Sequence, residues 1–494
     1  MIHKIITLIV WINGIFVKKN SLKKLKRFIK AVGKFIFGTI FFIFFVLCEL
    51  IVCSKASFHD FFTTEQVSTL KDRPSNIKKD IIVDACGING SCGGIKALTE
   101  NIIDGICKKR PDWRFVVLSN SDIERPFEFS HKNVKVIYIN YCCLTKSLML
   151  IRDILSFATF GMFRDQITQL LCYDNIYFNK NSCDLFFDPY AELIVNDYSS
   201  VPKISLIHDL LYRDIPEYFG AKKSELEDLK SNSKKIIEYS KKLLTVSEFS
   251  KERIIENFGV DSNFVQAIHI KLANRIKKER SQEFMQATLE KFKLREKEYL
   301  IYPSMARPRK NHKRLFQAFI KFYKEHNKSD IKLVVVGSVA DEMIKQLEEM
   351  IYDNAENKFQ AEDLKERIIF TQFIPNDELD VLLKKSLAMI FPSFYEGFGM
   401  PIIEAMSVGI PVACGNKTSL PEVAGNAALL FDPYNVDEIA NAINTMVTDS
   451  DLRAKLIKLG YERAKYFSDQ DSMIDEYINV FEKYMVKTEN NVDP

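Results

Sequence analysis

Residues 390–423 read IFPSFYEGFGMPIIEAMSVGIPVACGNKTSLPEV, and the remainder of the chain is placed relative to them. The apolar run Ala388–Phe391 predicts a buried strand that ends at Pro392. The loop Glu396-Gly397-Phe398-Gly399 follows. Pro401 then suits the first position of a helix that runs to Val408 and stops at Gly409. A second short strand, Ile410–Ala413, returns. Glu396 lies on the loop and Glu404 in the first turns of the helix. Unsatisfied N–H groups and the positive end of the dipole at such a helix start favour a phosphate-bearing ligand. A carboxylate beside them can accept two hydrogen bonds from a vicinal diol such as a ribose. The layout suits a molecule with a diphosphate, a ribose and a second polyol.

Glu396 and Glu404, with seven residues between them inside EGFGMPIIEAMSVGIPV, resemble the E-x7-E motif of retaining GT-B glycosyltransferases of family 4. A bare pair of glutamates at this spacing would mean only a loop carboxylate and a favourable helix-start charge. The Gly-Phe-Gly-Met-Pro between them and the Gly-Ile-Pro-Val behind give the pattern its specificity. The resemblance implies an α/β GT-B fold, two doubly wound Rossmann-like domains facing a cleft. It also implies a donor held near Phe398, Gly399, Met400 and Pro401, with Glu404 on the ribose and Glu396 on the donor-sugar hydroxyls.

At 494 residues the chain is long enough for two or three domains. A net charge of +4 gives no argument for a nucleic-acid partner. The ten cysteines are scattered, with Cys142 and Cys143 adjacent and no C-x-x-C pair, which speaks against a zinc ribbon and for reduced, buried thiols.

Residues 1–70 differ from the rest and are expected to form a membrane-associating extension. Lys18–Lys34 carries eight basic residues and no acid, with Leu22, Leu25, Phe28, Ile29 and Val32 at helical spacing. That is a basic amphipathic helix suited to anionic lipid. Phe35–Cys53 is apolar apart from Glu49 and long enough for a transmembrane or embedded helix. No small-x-small cleavage site supports a signal peptide at 1–17. The positive-inside rule would send the following domain out of the cytosol, whereas cytosolic nucleotide sugars and unpaired cysteines want it inside. An insertion that does not cross satisfies both, giving a membrane-associated protein with a cytoplasmic catalytic domain.

A first domain is expected over 80–275. Its opening strand Asp80–Ala85 turns through Gly87, Gly90, Gly93 and Gly94 into a helix, a phosphate-approach unit without a clean dinucleotide fingerprint. Further strands are read at 114–119, 134–139, 184–187 and 204–207, with helices between them. The last ends in His208-Asp209, where a side chain meets the ligand crevice. HDLLYRDIPEYF resembles the family segment whose histidine contacts the donor sugar, so His208 takes that role by resemblance. Ser247 is read as an N-cap with Ser250 three residues on.

A second domain is expected over 296–465. Its strand Tyr299–Pro303 leads to SMARPRKNHKRL, which resembles the family's P-R-K-N diphosphate clamp. By that resemblance Lys310 neutralises the leaving diphosphate. The family's second arginine is replaced here, Ser304 or Met305 standing near its place, which leaves Arg307 or Arg309 as the substitute. Phe373-Ile374-Pro375 resembles the loop lining the base pocket. The same resemblance implies a closing helix within 466–488 that returns to the first domain. Asp449-Ser-Asp451 and Asp469-Gln-Asp471 stand at apparent helix starts, where aspartate is a cap and not a metal ligand; neither a metal nor a cofactor is expected.

The resemblance implies a hexosyltransferase taking a nucleotide-diphosphate sugar. Because the RPRKNH and HDL–P segments look most like bacterial mannosyltransferases of polysaccharide assembly, mannose from GDP-mannose is the expected sugar. The acceptor would be a glycan or lipid-linked molecule in polysaccharide or lipopolysaccharide assembly, close to a membrane surface. Glu396, Lys310 and His208 are the candidate catalytic groups. Gly93, Gly94, Arg309, Phe373, Ile374, Phe398, Gly399, Met400, Pro401 and Glu404 would bind the donor. The competing readings are an inactive GT-B scaffold protein and a pyridoxal-phosphate glycan phosphorylase of related fold.

Overall fold

The computed structural model describes residues 73–85, 87–88, 93–120, 126–139, 183–191, 201–219, 223–271, 280–326 and 330–485. The expected membrane extension at 1–70 lies outside them. Among the described residues, no helix is long and apolar enough to cross a membrane.

Two parallel sheets form the scaffold. The first contains β1 (Lys79–Asp84), β2 (Trp113–Asn120), β3 (Val134–Ile139), β4 (Leu185–Asp188), β5 (Lys203–Leu206), β6 (Lys242–Thr245) and β7 (Val265–Ala267). Its strand order is β3-β2-β1-β4-β5-β6-β7. The second contains β8 (Tyr299–Pro303), β9 (Lys332–Val336), β10 (Ile368–Gln372), β11 (Ala388–Phe391), β12 (Val412–Gly415) and β13 (Ala428–Phe431), in the order β10-β9-β8-β11-β12-β13. Every strand pairing in both sheets is parallel. Helices on both faces explain why the strands read as unbroken apolar runs: Ala388–Phe391 and Val412–Gly415 are buried throughout. The helix His312–Glu325 shows the complementary pattern. Its buried Leu315, Phe316, Phe319, Phe322 and Tyr323 recur at helical spacing and form one apolar face.

In each sheet the order reverses beside the first strand, between β1 and β4 and between β8 and β11. The crevice at the carboxyl ends of strands flanking such a reversal is where doubly wound folds bind ligands. The strand expected at Ile410–Ala413 begins two residues later, at Val412. Gly409 adopts φ 77°, and the turn through Pro411 intervenes.

The helix Gln470–Tyr484 crosses back to the first domain. Tyr477 and Phe481 pack on Phe187, and Lys109 reaches Asp475 at 2.6 Å. The helices pack closely there, since a Cβ on Gly105 would stand 2.5 Å from the Ile474 side chain, which would have to shift. Behind the first sheet, Asp80 is buried between two arginines, Arg114 at 2.7 Å and Arg73 at 3.0 Å.

Candidate active site

The loops that follow β8 and β11 lie side by side because their strands are neighbours across the reversal. They are bonded to each other along their length. After β8 the chain makes one tight turn, Pro308–Lys310, then Asn311 takes a left-handed conformation at φ 62° before the helix begins. Asparagine tolerates that backbone better than most residues. Its side chain donates to the carbonyls of Pro392 (3.0 Å) and Pro433 (2.6 Å). Tyr302 donates its hydroxyl to the Lys310 carbonyl at 2.6 Å, and the Phe394 N–H donates to the Arg309 carbonyl at 3.1 Å.

This backbone holds two cations against one carboxylate. Glu396, only 6% exposed, accepts from Lys310 Nζ at 2.5 Å on Oε1 and from Arg309 Nη1 at 2.8 Å on Oε2. The same Arg309 nitrogen donates to the Tyr395 carbonyl at 3.1 Å. Burial by itself would raise the Glu396 carboxyl, but Lys310 and Arg309 overcome it and hold its pKa below the usual value. Burial also pulls the Lys310 ammonium down, against the attraction of Glu396, and works against Arg309, whose pKa Glu396 and Asp209 nevertheless keep high. Of the two arginines left open by the sequence, Arg309 is the one turned onto Glu396, while Arg307 is exposed. The resemblance assigned Lys310 and Glu396 to different parts of a donor. In this structure they are bonded to each other.

The glycine loop is shaped by close approaches. Gly399 has φ 107° and caps the helix Met400–Ser407, which starts one residue before the expected Pro401. A Cβ at Gly397 would lie 2.6 Å from the carbonyl oxygen of His208, so the two domains touch through bare backbone there. Ser419 donates to the carbonyls of Glu396 and Phe398, both at 2.9 Å. The Glu396 N–H donates to Thr418 Oγ1 at 3.1 Å. Glu404 lies half-buried on the following helix.

On the first-domain wall, His208 Nε2 is 2.9 Å from the Pro189 carbonyl oxygen, which can only accept, so the proton sits on Nε2. Burial lowers the His208 pKa against the opposing pull of Pro189 and Asp209, leaving a neutral ring whose Nδ1 is an acceptor. Gly93 and Gly94 open the helix Gly93–Lys109, and the space where a Gly94 side chain would stand is open. At the far side of the second sheet, the loops after β8, β9 and β10 run together. A Cβ on Gly337 would meet the Ser304 and Met305 backbone at 2.9 Å. There Phe373 is 65% exposed, whereas Ile374 is buried.

The two D-x-D sequences cap helices: Asp449 accepts from Leu452 N–H at 2.8 Å and Asp469 from Ser472 N–H at 3.0 Å. Among the described residues, no group of three or more His, Cys, Asp or Glu side chains is disposed to hold a metal ion. Sequence reasoning missed the residues by which the domains grip one another. Glu422, in the T-S-L-P-E-V tail of the opening stretch, accepts from the N–H groups of Glu248 (2.8 Å) and Phe249 (3.0 Å) and lies 2.7 Å from His269 Nε2. It thus adds a carboxylate from the second domain to a helix start already capped by Ser247.

Residues 285–463 match the family model of glycosyl transferases group 1. Among curated proteins, the chain is 30% identical over 267 residues to the O-antigen chain mannosyltransferase B of Escherichia coli, covering 54% of this chain and 66% of that one. It is 26% identical over 264 residues to the serotype-specific mannosyltransferase WbdA of Escherichia coli, covering 53% of this chain and 31% of that one. The chain thus spans just under two thirds of the first relative and about a third of the second. Among solved structures, it is similar to Anabaena Alr3699/HepE in complex with UDP and glucose, with a TM-score of 0.59, 16% identity and coverage of 82% of this chain and 100% of that one. It is also similar to WaaG, a glycosyltransferase involved in lipopolysaccharide biosynthesis, with a TM-score of 0.56, 12% identity and coverage of 81% and 99%. At these identities the structural likeness establishes the two-domain GT-B fold.

Proposed function

We propose that this chain, whose second domain belongs to the glycosyl transferases group 1, transfers a hexosyl group from a nucleotide-diphosphate sugar to an acceptor hydroxyl with retention of anomeric configuration. The observation that carries the reading is the pair of cations, Lys310 and Arg309, held on Glu396 in the loops after β8 and β11, with the His208 carbonyl of the first domain packed against Gly397 beside them. The two part-buried cations offer several N–H donors side by side, which suits charge-assisted hydrogen bonds to a diphosphate that displaces the Glu396 carboxylate from them. In this reading the donor diphosphate takes over Lys310 and Arg309, assisted by the N-terminus of the helix Met400–Ser407. Glu396 is thereby released to accept hydrogen bonds from the sugar hydroxyls. Phe398, Gly399, Met400 and Pro401 approach the donor with backbone, Glu404 takes the ribose, and Phe373 and Ile374 flank the base.

As the bond from the anomeric carbon to the diphosphate breaks, its electron pair stays on the phosphate oxygen, where the cations stabilise it. The acceptor oxygen bonds to the same face of the anomeric carbon, and its proton passes to the departing phosphate. Neutral His208, with an acceptor at Nδ1, takes a hydrogen bond from the sugar. The reaction in this form calls for neither a metal nor a prosthetic group. The names of the relatives favour mannose as the sugar, with GDP-mannose the first donor to try, and O-antigen-type polysaccharide as the setting. A glycan or lipid-linked acceptor and a cytoplasmic membrane face fit the basic, apolar N-terminal sequence.

The test is turnover of GDP-, UDP- and ADP-sugars by the full chain, compared with Lys310→Ala. One donor should be turned over selectively, and Lys310→Ala should lose about 100- to 1000-fold, as loss of a charge-stabilising donor group typically does. A wild-type protein that neither turns over nor is thermally stabilised by any nucleotide sugar would overturn the reading.

A further inference from the structure

We propose that Asp214 and Tyr395 are positioning residues that make correct placement of the Glu396 carboxylate depend on the docking of the first domain; the inference rests on the glycosyltransferase reading above. Tyr395 belongs to the second domain and immediately precedes Glu396, yet its side chain is held by the first. Its hydroxyl donates to Asp214 Oδ2 at 2.7 Å, and its ring meets the edge of Phe249 at 6.0 Å and 74°. Asp214 is itself fixed, because Arg253 donates to its Oδ1 from Nε at 3.0 Å and from Nη2 at 2.5 Å. Asp214 stands at the end of the short helix Leu211–Asp214, just beyond His208, and Arg253 and Phe249 stand on the helix Glu248–Phe258.

From Tyr395 the connection to the site is one peptide long. The Tyr395 carbonyl accepts from Arg309 Nη1, and the same nitrogen donates to Glu396 Oε2. Docking therefore clamps the Tyr395 side chain from one domain while its peptide carries Arg309 and Glu396 in the other. When the first domain withdraws, hydroxyl and ring lose their partners together. The peptide that aims Arg309 and Glu396 then loses its anchor. Reacting groups displaced by about 1 Å can lose 100-fold in rate. A phenylalanine would fill the same volume and lack the anchor, which explains a buried tyrosine at this position.

The experiment measures kcat, donor KM and thermal midpoint for the full-length wild type, Tyr395→Phe, Asp214→Ala, the double variant and Asp214→Asn, with Lys310→Ala alongside. Tyr395→Phe and Asp214→Ala should each lose about 10- to 100-fold in kcat, with a smaller rise in donor KM, because Arg309 and Glu396 are misaimed while Lys310 and the start of the helix Met400–Ser407 keep their place on the donor. The double variant should be no worse than the poorer single one, since both remove the same link. Asp214→Asn should recover much of the Asp214→Ala loss, its carbonyl accepting from Arg253 and its amide donating to the tyrosine oxygen. A midpoint that falls while kcat holds, or kcat losses that multiply in the double variant, would overturn the inference. If Asp214→Ala fails to fold, Tyr395→Phe and Asp214→Asn decide: Tyr395→Phe must still lose kcat and Asp214→Asn must retain most of it. If Lys310→Ala is inactive while Tyr395→Phe matches wild type, the inference alone fails. If wild type and Lys310→Ala do not differ, the glycosyltransferase reading fails and takes the inference with it.

Discussion

Replacing Glu396 by glutamine should destabilise the protein without ligand and make it unusually responsive to a diphosphate. Glu396 is nearly fully buried and neutralises Lys310 at 2.5 Å and Arg309 at 2.8 Å. Removing one partner of a buried ion pair costs about 3–5 kcal/mol, because the other charge is left uncompensated. Side-chain exposures of 15% for Lys310 and 28% for Arg309 let water relieve part of that, and a cost of about 2–3 kcal/mol remains. For a domain of this size that corresponds to a fall of roughly 5–10 °C in the thermal midpoint. Pyrophosphate or a nucleoside diphosphate supplies the missing negative charge, so the midpoint should recover more in Glu396→Gln than it rises in wild type. The assay is thermal unfolding with and without ligand at neutral pH. The sign of the pH dependence adds a check. The folded-state pKa of Glu396 is depressed, so its contribution is present above the ordinary carboxylate range and lost as pH falls through the folded value. Wild type and variant should therefore converge in acid. An unchanged midpoint at neutral pH, or equal ligand shifts in both proteins, would refute the charge-balance argument.

Three further outcomes are expected. His312 is buried against Tyr302 and Phe316, and burial lowers its pKa to about 4. Its neutral state contributes fully above about pH 6.5 and is lost as pH falls towards 4, about 3 kcal/mol in all; urea unfolding at pH 7 and pH 4.5 should show the loss, and His312→Gln should flatten it. Asn311→Ala should cost about 2–4 kcal/mol in chemical denaturation, since a left-handed alanine is strained and the Pro392 and Pro433 carbonyls lose their donor. Gly397→Ala drives a methyl into the His208 carbonyl. It should depress sugar transfer more than tenfold by preventing docking while nucleoside diphosphate binding, followed by calorimetry, changes little.

The alternation of strand and helix, the glycine punctuation and the spacing of Glu396 and Glu404 were legible in the sequence because they are local. A strand buried on both faces must be apolar, a helix must stop at Gly409, and a helix start offers its N–H groups whatever surrounds it. The roles of Asp449, Asp469 and Ser247 as caps were legible for the same reason. What the sequence could not contain is which distant side chains meet. Lys310 and Glu396 are 86 residues apart, and Asp214 and Tyr395 are 181 apart. Their contact depends on β8 lying beside β11 and on the first domain docking against the second. Read singly, Lys310 was a phosphate ligand and Glu396 a sugar ligand. Tertiary structure made them a buried, mutually neutralising cluster, because a charge leaves water only where an opposite charge waits for it.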